Sequence, residues 1–391
     1  MERLISISQD NIEEISSRYF KESCTVLYGA GGNGIRLLSI LKKQGIPVQY
    51  FCDDDFNKVD TNVEGIPVIS FEQLRKLSEN KAMDGQTINV VLTSVFSGTI
   101  LKKLKDISGV RVFELFAMLM QEFFPKSFYN EALDDNERFD ILQKFDQVIP
   151  HLHDDESQYV MKIIHDVIAA QDNADNHKFI EIASDEDCYF ISNVCASLPE
   201  QPVVVDCGGF TGDLMVALEK HEIKYKKVFS FEPNPRLYEE MCENVRRNHL
   251  EDRFIPFHKG VWDSEGNAYL NFSEDDIAGG KLDLSKSGTC VEIISIDGFF
   301  KKQPVDFIKM DIEGAELHAL RGGITTIQRD RPILAISLYH SPHDVVDIPV
   351  YLMDELEHYI FMVRHHSFIG SETVLYAIPE EKMSLNKEMK G

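Results

Sequence analysis

Residues 203–232 read VVVDCGGFTGDLMVALEKHEIKYKKVFSFE. A β-branched apolar run, Val203–Val205, stops at Asp206. A turn with Gly208, Gly209 and Gly212 follows, then an amphipathic helical segment, then a second apolar run, Val228–Phe231, ending on Glu232. Strand, turn, helix and strand in this order make half of a nucleotide-binding βαβ unit. A parallel strand buried on both faces takes a carboxylate only at its end. Asp206 and Glu232 are therefore both expected at the carboxyl edge of one sheet, flanking the crevice where such folds bind ligands. The glycines let backbone N–H groups approach a ligand. Glu232, 26 residues after Asp206, is placed to accept hydrogen bonds from two ribose hydroxyls. The competing reading makes Asp206 a helix cap and Glu232 a solvated strand end.

Which nucleoside binds is decided by what the turn lacks. It holds no Lys-Ser/Thr pair for phosphate and magnesium, and Asp213 beside it would repel a pyrophosphate. S-adenosylmethionine brings a ribose, an adenine, an ammonium and a sulfonium, and an acidic, glycine-turned pocket suits that cation.

Three segments in order, VVVDCGGFTG, FSFEPNPRLYEEMCENVRRN and DFIKMDIEGAELHALRGG (Asp306–Gly323), resemble the FkbM-type family of S-adenosylmethionine-dependent methyltransferases, with the likeness running from Val203 to Pro379. The family usually carries a small residue and Asn after the first glycine, as in GANIG, where this chain has Gly209 and Phe210. The resemblance implies an α/β fold of class I methyltransferase type: a doubly wound, mostly parallel sheet with an antiparallel last strand. It also implies a cofactor site at Asp206, Gly208, Phe210, Gly212 and Glu232. The strand pattern fits: Val203–Asp206, Val228–Glu232, Phe254–Trp262, Ala268–Phe272, Val291–Ile296, Phe307–Asp311, Ile333–Tyr339, Tyr359–Arg364 and Thr373–Ile378. Helices are expected from Gly212, over Pro235–His249 with Asn234 as cap, and over Ala315–Arg321. Adenine is expected against Trp262 and Asp263.

Methyl transfer is an in-line displacement that needs nucleophile and methyl held together, water excluded and a proton removed from a hydroxyl acceptor. Asp311 ends the strand FIKMD, Lys309 shares its face, and His340 ends ILAISLYH, so the three are the expected catalytic residues, His340 as general base. Asp311 with Glu313 could hold a divalent cation, magnesium or calcium by ligand type. Glu313 and Glu316 read equally well as acids at a helix N-terminus. Asp297, at the end of VEIISID, is an acid that the family would turn toward the acceptor.

The N-terminal region repeats the pattern. Cys24–Tyr28 opens into GAGGNG, with Gly29, Gly31 and Gly34 at G-x-G-x-x-G positions; a helix Ile35–Gln44 and strand Val48–Cys52 follow, ending at Asp53. With strands at 66–69, 88–93 and 111–115, residues 1–115 form an expected smaller Rossmann-like domain of four or five strands. It resembles domains of sugar-modifying enzymes that face a nucleotide-linked sugar. Alternatively, these glycines serve only to pack helix on strand. Residues 116–200 lack glycine and carry apolar residues at helical spacing, such as Phe139, Leu142, Phe145 and Val148, which reads as a helical connector. Within it His151, His153 and His165 lie near Asp154 and Asp155, best read as a helix start. FAMLMQEFFPKSFY is expected to pack between domains or in a homodimer. The methyltransferase-type domain takes residues 201–391.

Composition narrows the partners. The 40 basic and 65 acidic residues leave a formal charge of −25, which repels phosphodiester backbones and anionic membranes. Nucleic acid and membrane are therefore not expected partners. The acidic N-terminus is no secretory signal, and no apolar run of about 18 residues occurs. Seven scattered cysteines without a Cys-x-x-Cys pair fit a reduced, cytoplasmic chain. The expected activity is O-methylation of a small-molecule or glycan acceptor in polysaccharide or glycoconjugate biosynthesis. N-methylation of an amino group, or a noncatalytic sensor of nucleotide or dinucleotide, are the alternatives.

Overall fold

The computed structural model describes residues 5–6, 12–21, 23–93, 97–105, 107–114, 129, 133–171, 178–273, 276–283, 288–367 and 369–383. They fall into two compact units. One lies within Met1–Ser127, Asp175–Asp185 and His366–Gly370, the other within Phe128–Ala174, Glu186–His365 and Ser371–Gly391. The region expected as a connector is thus shared between them, most of it with the second unit. The segment FAMLMQEFFPKSFY lies outside the described residues except for Tyr129.

The first unit is built on strands β1 (Ile5–Ser6), β2 (Cys24–Tyr28), β3 (Tyr50–Cys52), β4 (Asn62–Val63), β5 (Ile66–Ile69), β6 (Ile88–Leu92) and β7 (Val110–Glu114), in the order β1-β7-β6-β2-β3-β5-β4. All pairs are parallel except the β4–β5 hairpin. That hairpin turns on Glu64 and Gly65, both at positive φ. Alternation along β2 explains the layering: Leu27 packs with Leu37, Leu38 and Leu41 of helix Gly32–Lys43, while Val26 and Tyr28 pack on the opposite face with Leu74, Ile100 and Leu104. Seven strands exceed the four or five expected because β1 and β4, of two residues each, are too short to show a period.

The second unit holds β8 (Val203–Cys207), β9 (Lys227–Phe231), β10 (Phe254–Phe257), β11 (Gly260–Val261), β12 (Gly266–Ser273), β13 (Asp276–Asp283), β14 (Thr289–Ile294), β15 (Phe307–Met310), β16 (Ile333–Ser337), β17 (Tyr359–His365) and β18 (Thr373–Pro379). Its main sheet runs β10-β9-β8-β15-β16-β18-β17. The first five strands are parallel, and β18 is antiparallel to both neighbours. This is the doubly wound sheet with a closing antiparallel hairpin that the sequence predicts. The chain leaves β8 toward β9 on one side and returns at β15 on the other, so the loops after β8 and β15 diverge and leave a crevice between them. Val204, Val228, Phe307 and Ile333 cover one face together with Leu214, Leu218, Met241 and Val245 from the helices after β8 and β9.

Three features depart from the expected pattern. The run 254–262 breaks at His258, and β11 leaves to join a separate four-stranded sheet, β11-β14-β12-β13. β13 reads DIAGGKLD, with two glycines and no β-branched alternation, so its period is silent. Helix Asp344–Glu355 contains Pro349 within a nearly continuous apolar run, which hides its helical period. No described helix is long and apolar enough to cross a membrane.

Candidate active site

The turn after β8 is shaped by close approach. Gly208 stands at φ +84, and a Cβ there would run into the carbonyl of Asp311; a Cβ on Gly209 would meet Ser230 and Met241. The N–H groups of both glycines donate to Phe231 O, at 3.0 and 2.9 Å. Gly212, at φ +94, is the N-cap of helix Asp213–Lys220. Between them Phe210 takes φ +48, costly for a residue with a side chain. Its N–H donates to Glu232 Oε2 at 2.9 Å, and its ring is 38% exposed.

Glu232 follows β9 and is only 6% exposed. Its other oxygen, Oε1, accepts from Asn234 N at 2.8 Å. Burial pushes its carboxyl up to about 7, against these two donors. A carboxylate offers about four lone-pair directions, so each oxygen keeps one for a ligand hydroxyl. Asn234 also caps helix Pro235–Arg247 by accepting from Arg236 N, with Pro235 in the first turn, as expected.

Asp206 corrects an expectation. It does not emerge at the sheet edge but is fully buried. Lys309 Nζ lies 3.1 Å from its Oδ1, and Ser230 Oγ donates to Oδ2 at 2.6 Å. Burial pushes the carboxyl up, and Lys309 and Ser230 pull against that. Lys309, expected among the catalytic groups, is itself buried. Burial disfavours its charge, yet Asp206 and Asp311 outweigh this and hold its pKa above the ordinary lysine value. Nζ donates to Gly208 O at 2.5 Å and sits over the Tyr189 ring. The Asp206–Lys309 pair thus pins the glycine turn.

A second cluster forms where β15 and β16, paired side by side, end. His340 is 3% exposed. Its Nε2 is 3.2 Å from Asp311 Oδ1 and 3.7 Å from Glu313 Oε2, and its Nδ1 is 2.9 Å from Glu316 Oε1. Asp311 also accepts from Tyr189 Oη at 2.7 Å and Tyr339 Oη at 3.1 Å. Desolvation disfavours the imidazolium, but Glu316 and Asp311 win and hold its pKa well above the histidine range. Burial likewise opposes the Asp311 charge, and His340 with Lys309 overcomes it, keeping Asp311 well below the usual carboxylate range. An imidazole flanked by carboxylates at both nitrogens is not a free general base. Burial and the Asp311 charge push nearby Glu372 up to about 8.

The remaining expected site residues are placed as follows. Trp262 packs among Ala268, Ile293 and Ala315, with one face stacked on His318 at 4.1 Å. Asp263 accepts from Ser264 Oγ at 2.9 Å and lies 2.8 Å from His318 Nδ1. Asp297 accepts from Thr325 N and Thr326 N, at 3.1 and 2.7 Å, in the first turn of helix Ile324–Asp330. Asp154 accepts from Ser157 N at 2.8 Å as the N-cap of helix Asp155–Ala170 and pairs with Arg364, as a helix-start reading requires. In the first unit Gly29 stands at φ +115, and a Cβ on Gly34 would run into its carbonyl; Gly31 caps helix Gly32–Lys43. Asp53 accepts from Ala30 N and Asp55 N, at 2.7 and 2.9 Å, with Lys58 Nζ at 3.4 Å, so its carboxylate closes its own loop. Tyr189 and Glu372 join these sites without any motif to announce them, and His318 lies within the quoted segment Asp306–Gly323 with no local signal of its role.

Residues 206–367 match the family described as Methyltransferase FkbM domain. That stretch is similar to FkbM methyltransferase domains. It includes both clusters, from Asp206 to His340. The FkbM methyltransferase of Methylobacillus flagellatus KT shares the fold with TM-score 0.51 at 21% identity, over 95% of this chain and 94% of that one. Aeropyrum pernix fibrillarin with natively bound S-adenosyl-L-methionine matches with TM-score 0.30 at 12% identity, over 47% of this chain and 68% of that one. UDP-D-quinovosamine 4-dehydrogenase from Vibrio fischeri matches with TM-score 0.21 at 24% identity, over 26% of this chain and 85% of that one. No curated protein sequence matches.

Proposed function

We propose that the protein transfers a methyl group from S-adenosylmethionine to a hydroxyl of a sugar or glycan precursor. The observation that carries this reading is Glu232: a nearly buried carboxylate at a parallel strand tip, with one accepting direction left on each oxygen and the glycine turn folded against it. Two adjacent ribose hydroxyls are the ligand groups that fit it. When bound, the cofactor supplies an electrophilic methyl on a sulfonium. The chain's own residues do the rest. Asp206 and Lys309 hold the Gly208 turn, Glu232 fixes the ribose, and Asp311, with Tyr189 and Tyr339 on its oxygens, presents negative charge at the neighbouring strand tip. That charge favours a sulfonium nearby and accepts a hydrogen bond from an acceptor hydroxyl.

The sugar acceptor and a role in polysaccharide or glycoconjugate synthesis are supported by the family habit and by the first unit's likeness to domains of sugar-modifying enzymes. An amine acceptor is the second reading. Asp311, Glu313 and Glu316 give three carboxylates against one histidine, an excess that also suits a cation. Incubation with methyl-labelled S-adenosylmethionine and a panel of nucleotide-linked sugars and amino sugars, read by mass spectrometry, separates the two. A label on oxygen is the expected result, and a label on nitrogen selects the amine. Failure to label any acceptor together with failure to bind the cofactor would end the reading.

A further inference from the structure

We propose that Asp311, Glu316 and His340 form a binding site for a divalent transition-metal ion at the tips of β15 and β16, with Glu313 at its rim. One potential ligand atom from each of the three residues lies within 4.8 Å of the other two. Asp311 and Glu313 lie in the loop after β15, turned by Glu313 at φ +57 and Gly314 at φ +93, Glu316 opens helix Glu316–Arg321, and His340 follows β16, which pairs with β15. The sequence pairs Asp311 with Glu313, but Glu316 reaches deeper.

Two features point to an ion. Glu316 is fully buried, and while Oε1 accepts from Ile312 N at 2.8 Å, Oε2 has no hydrogen-bond partner. A bare buried carboxylate oxygen is costly unless something positive meets it. The simplest counter-ion would be His340 as an imidazolium donating one N–H to each neighbour. Yet neither ring nitrogen makes an aligned hydrogen bond, although Asp311 Oδ1 and Glu316 Oε1 lie 3.2 and 2.9 Å away. An ion bound among the carboxylates and one ring nitrogen would supply the positive charge that the buried Glu316 calls for, and would leave the second ring nitrogen to hold a carboxylate, the usual arrangement behind a metal-bound histidine. One imidazole with carboxylates suits manganese, iron or zinc better than calcium. Three protein ligands leave positions open, and a hydroxyl oxygen bound there would lose its proton more easily, a task His340 is poorly placed to perform as a base. This consequence rests on the methyl-transfer reading; the site itself does not.

The test uses the full chain after chelator treatment, titrated calorimetrically with Mn²⁺ alone, for wild type, Glu316→Gln and Asp311→Asn. Titration with S-adenosylhomocysteine and a thermal melt run alongside. One saturable Mn²⁺ per wild-type chain is expected, weakened at least about 10-fold in each variant that keeps its melt. Absence of saturable Mn²⁺ or Zn²⁺ binding to wild type, or unchanged affinity in both variants, would overturn the site. A chain that takes Mn²⁺ but not S-adenosylhomocysteine keeps the metal site and loses the cofactor reading.

Discussion

Glu232 joins the protonation state of the protein to its ligand. Burial lifts its carboxyl to about 7 in the folded chain, above the ordinary glutamate value of 4.5, so the folded chain holds a proton that the unfolded chain releases between these values. The stability linked to this group therefore falls as pH rises from about 4.5 through about 7. Binding runs the other way, because only the ionised carboxylate accepts two ribose hydroxyls. S-adenosylhomocysteine should bind about tenfold more tightly at pH 8 than at pH 6, following the ionised fraction, and Glu232→Gln should flatten that dependence. Calorimetry at the two pH values checks it; equal affinities in wild type would contradict the assignment. Lys309 allows a sharper structural test. Lys309→Met leaves Asp206 buried and unpaired and frees Gly208 O, so urea unfolding should show a loss of about 3–5 kcal/mol. A change below about 1 kcal/mol would show that the pair does not hold the turn.

At the level of elements, the caps can be tested separately from the chemistry. Asp297→Ala removes the acceptor for Thr325 N and Thr326 N and should lower stability by about 1 kcal/mol in urea unfolding, with cofactor affinity unchanged. A loss of affinity instead would return Asp297 to the ligand site. The parallel core strands, the Asn234-Pro235 helix start and the closing hairpin are legible in the sequence because each has strong local chemistry: β-branched runs, a cap, a period of two. β11–β14 are not. A two-residue strand and a glycine-containing one carry no period, and their pairing is fixed by tertiary contacts. Site residues divide the same way. Glu232 is visible as an acid ending an apolar strand. Asp206 carries the same local signal, yet it is claimed by Lys309, 103 positions away in the chain, through the parallel pairing of β8 with β15. Phe139, placed by its spacing on the apolar stripe of its helix, is 62% exposed, while Ile141 and Phe145 are buried. The helix turns a slightly different face inward than the pattern implies.

Across the whole molecule, each of the two units carries a mainly parallel sheet with glycine turns at strand tips, but their acids are used differently. Asp53 spends its oxygens on Ala30 N, Asp55 N and Lys58, closing its own loop. Glu232 retains accepting directions beside the FkbM turn. The proposed methyl transfer belongs to the second unit, where the switch between β8 and β15 brings Glu232, the pinned glycines and the His340 cluster to the same end of one sheet. Calorimetric titration of S-adenosylhomocysteine into the full chain tests this most directly. The account predicts one saturable site per chain, weakened about 10- to 100-fold in Glu232→Ala. No saturable heat with wild type, or the same affinity in the variant, would contradict it.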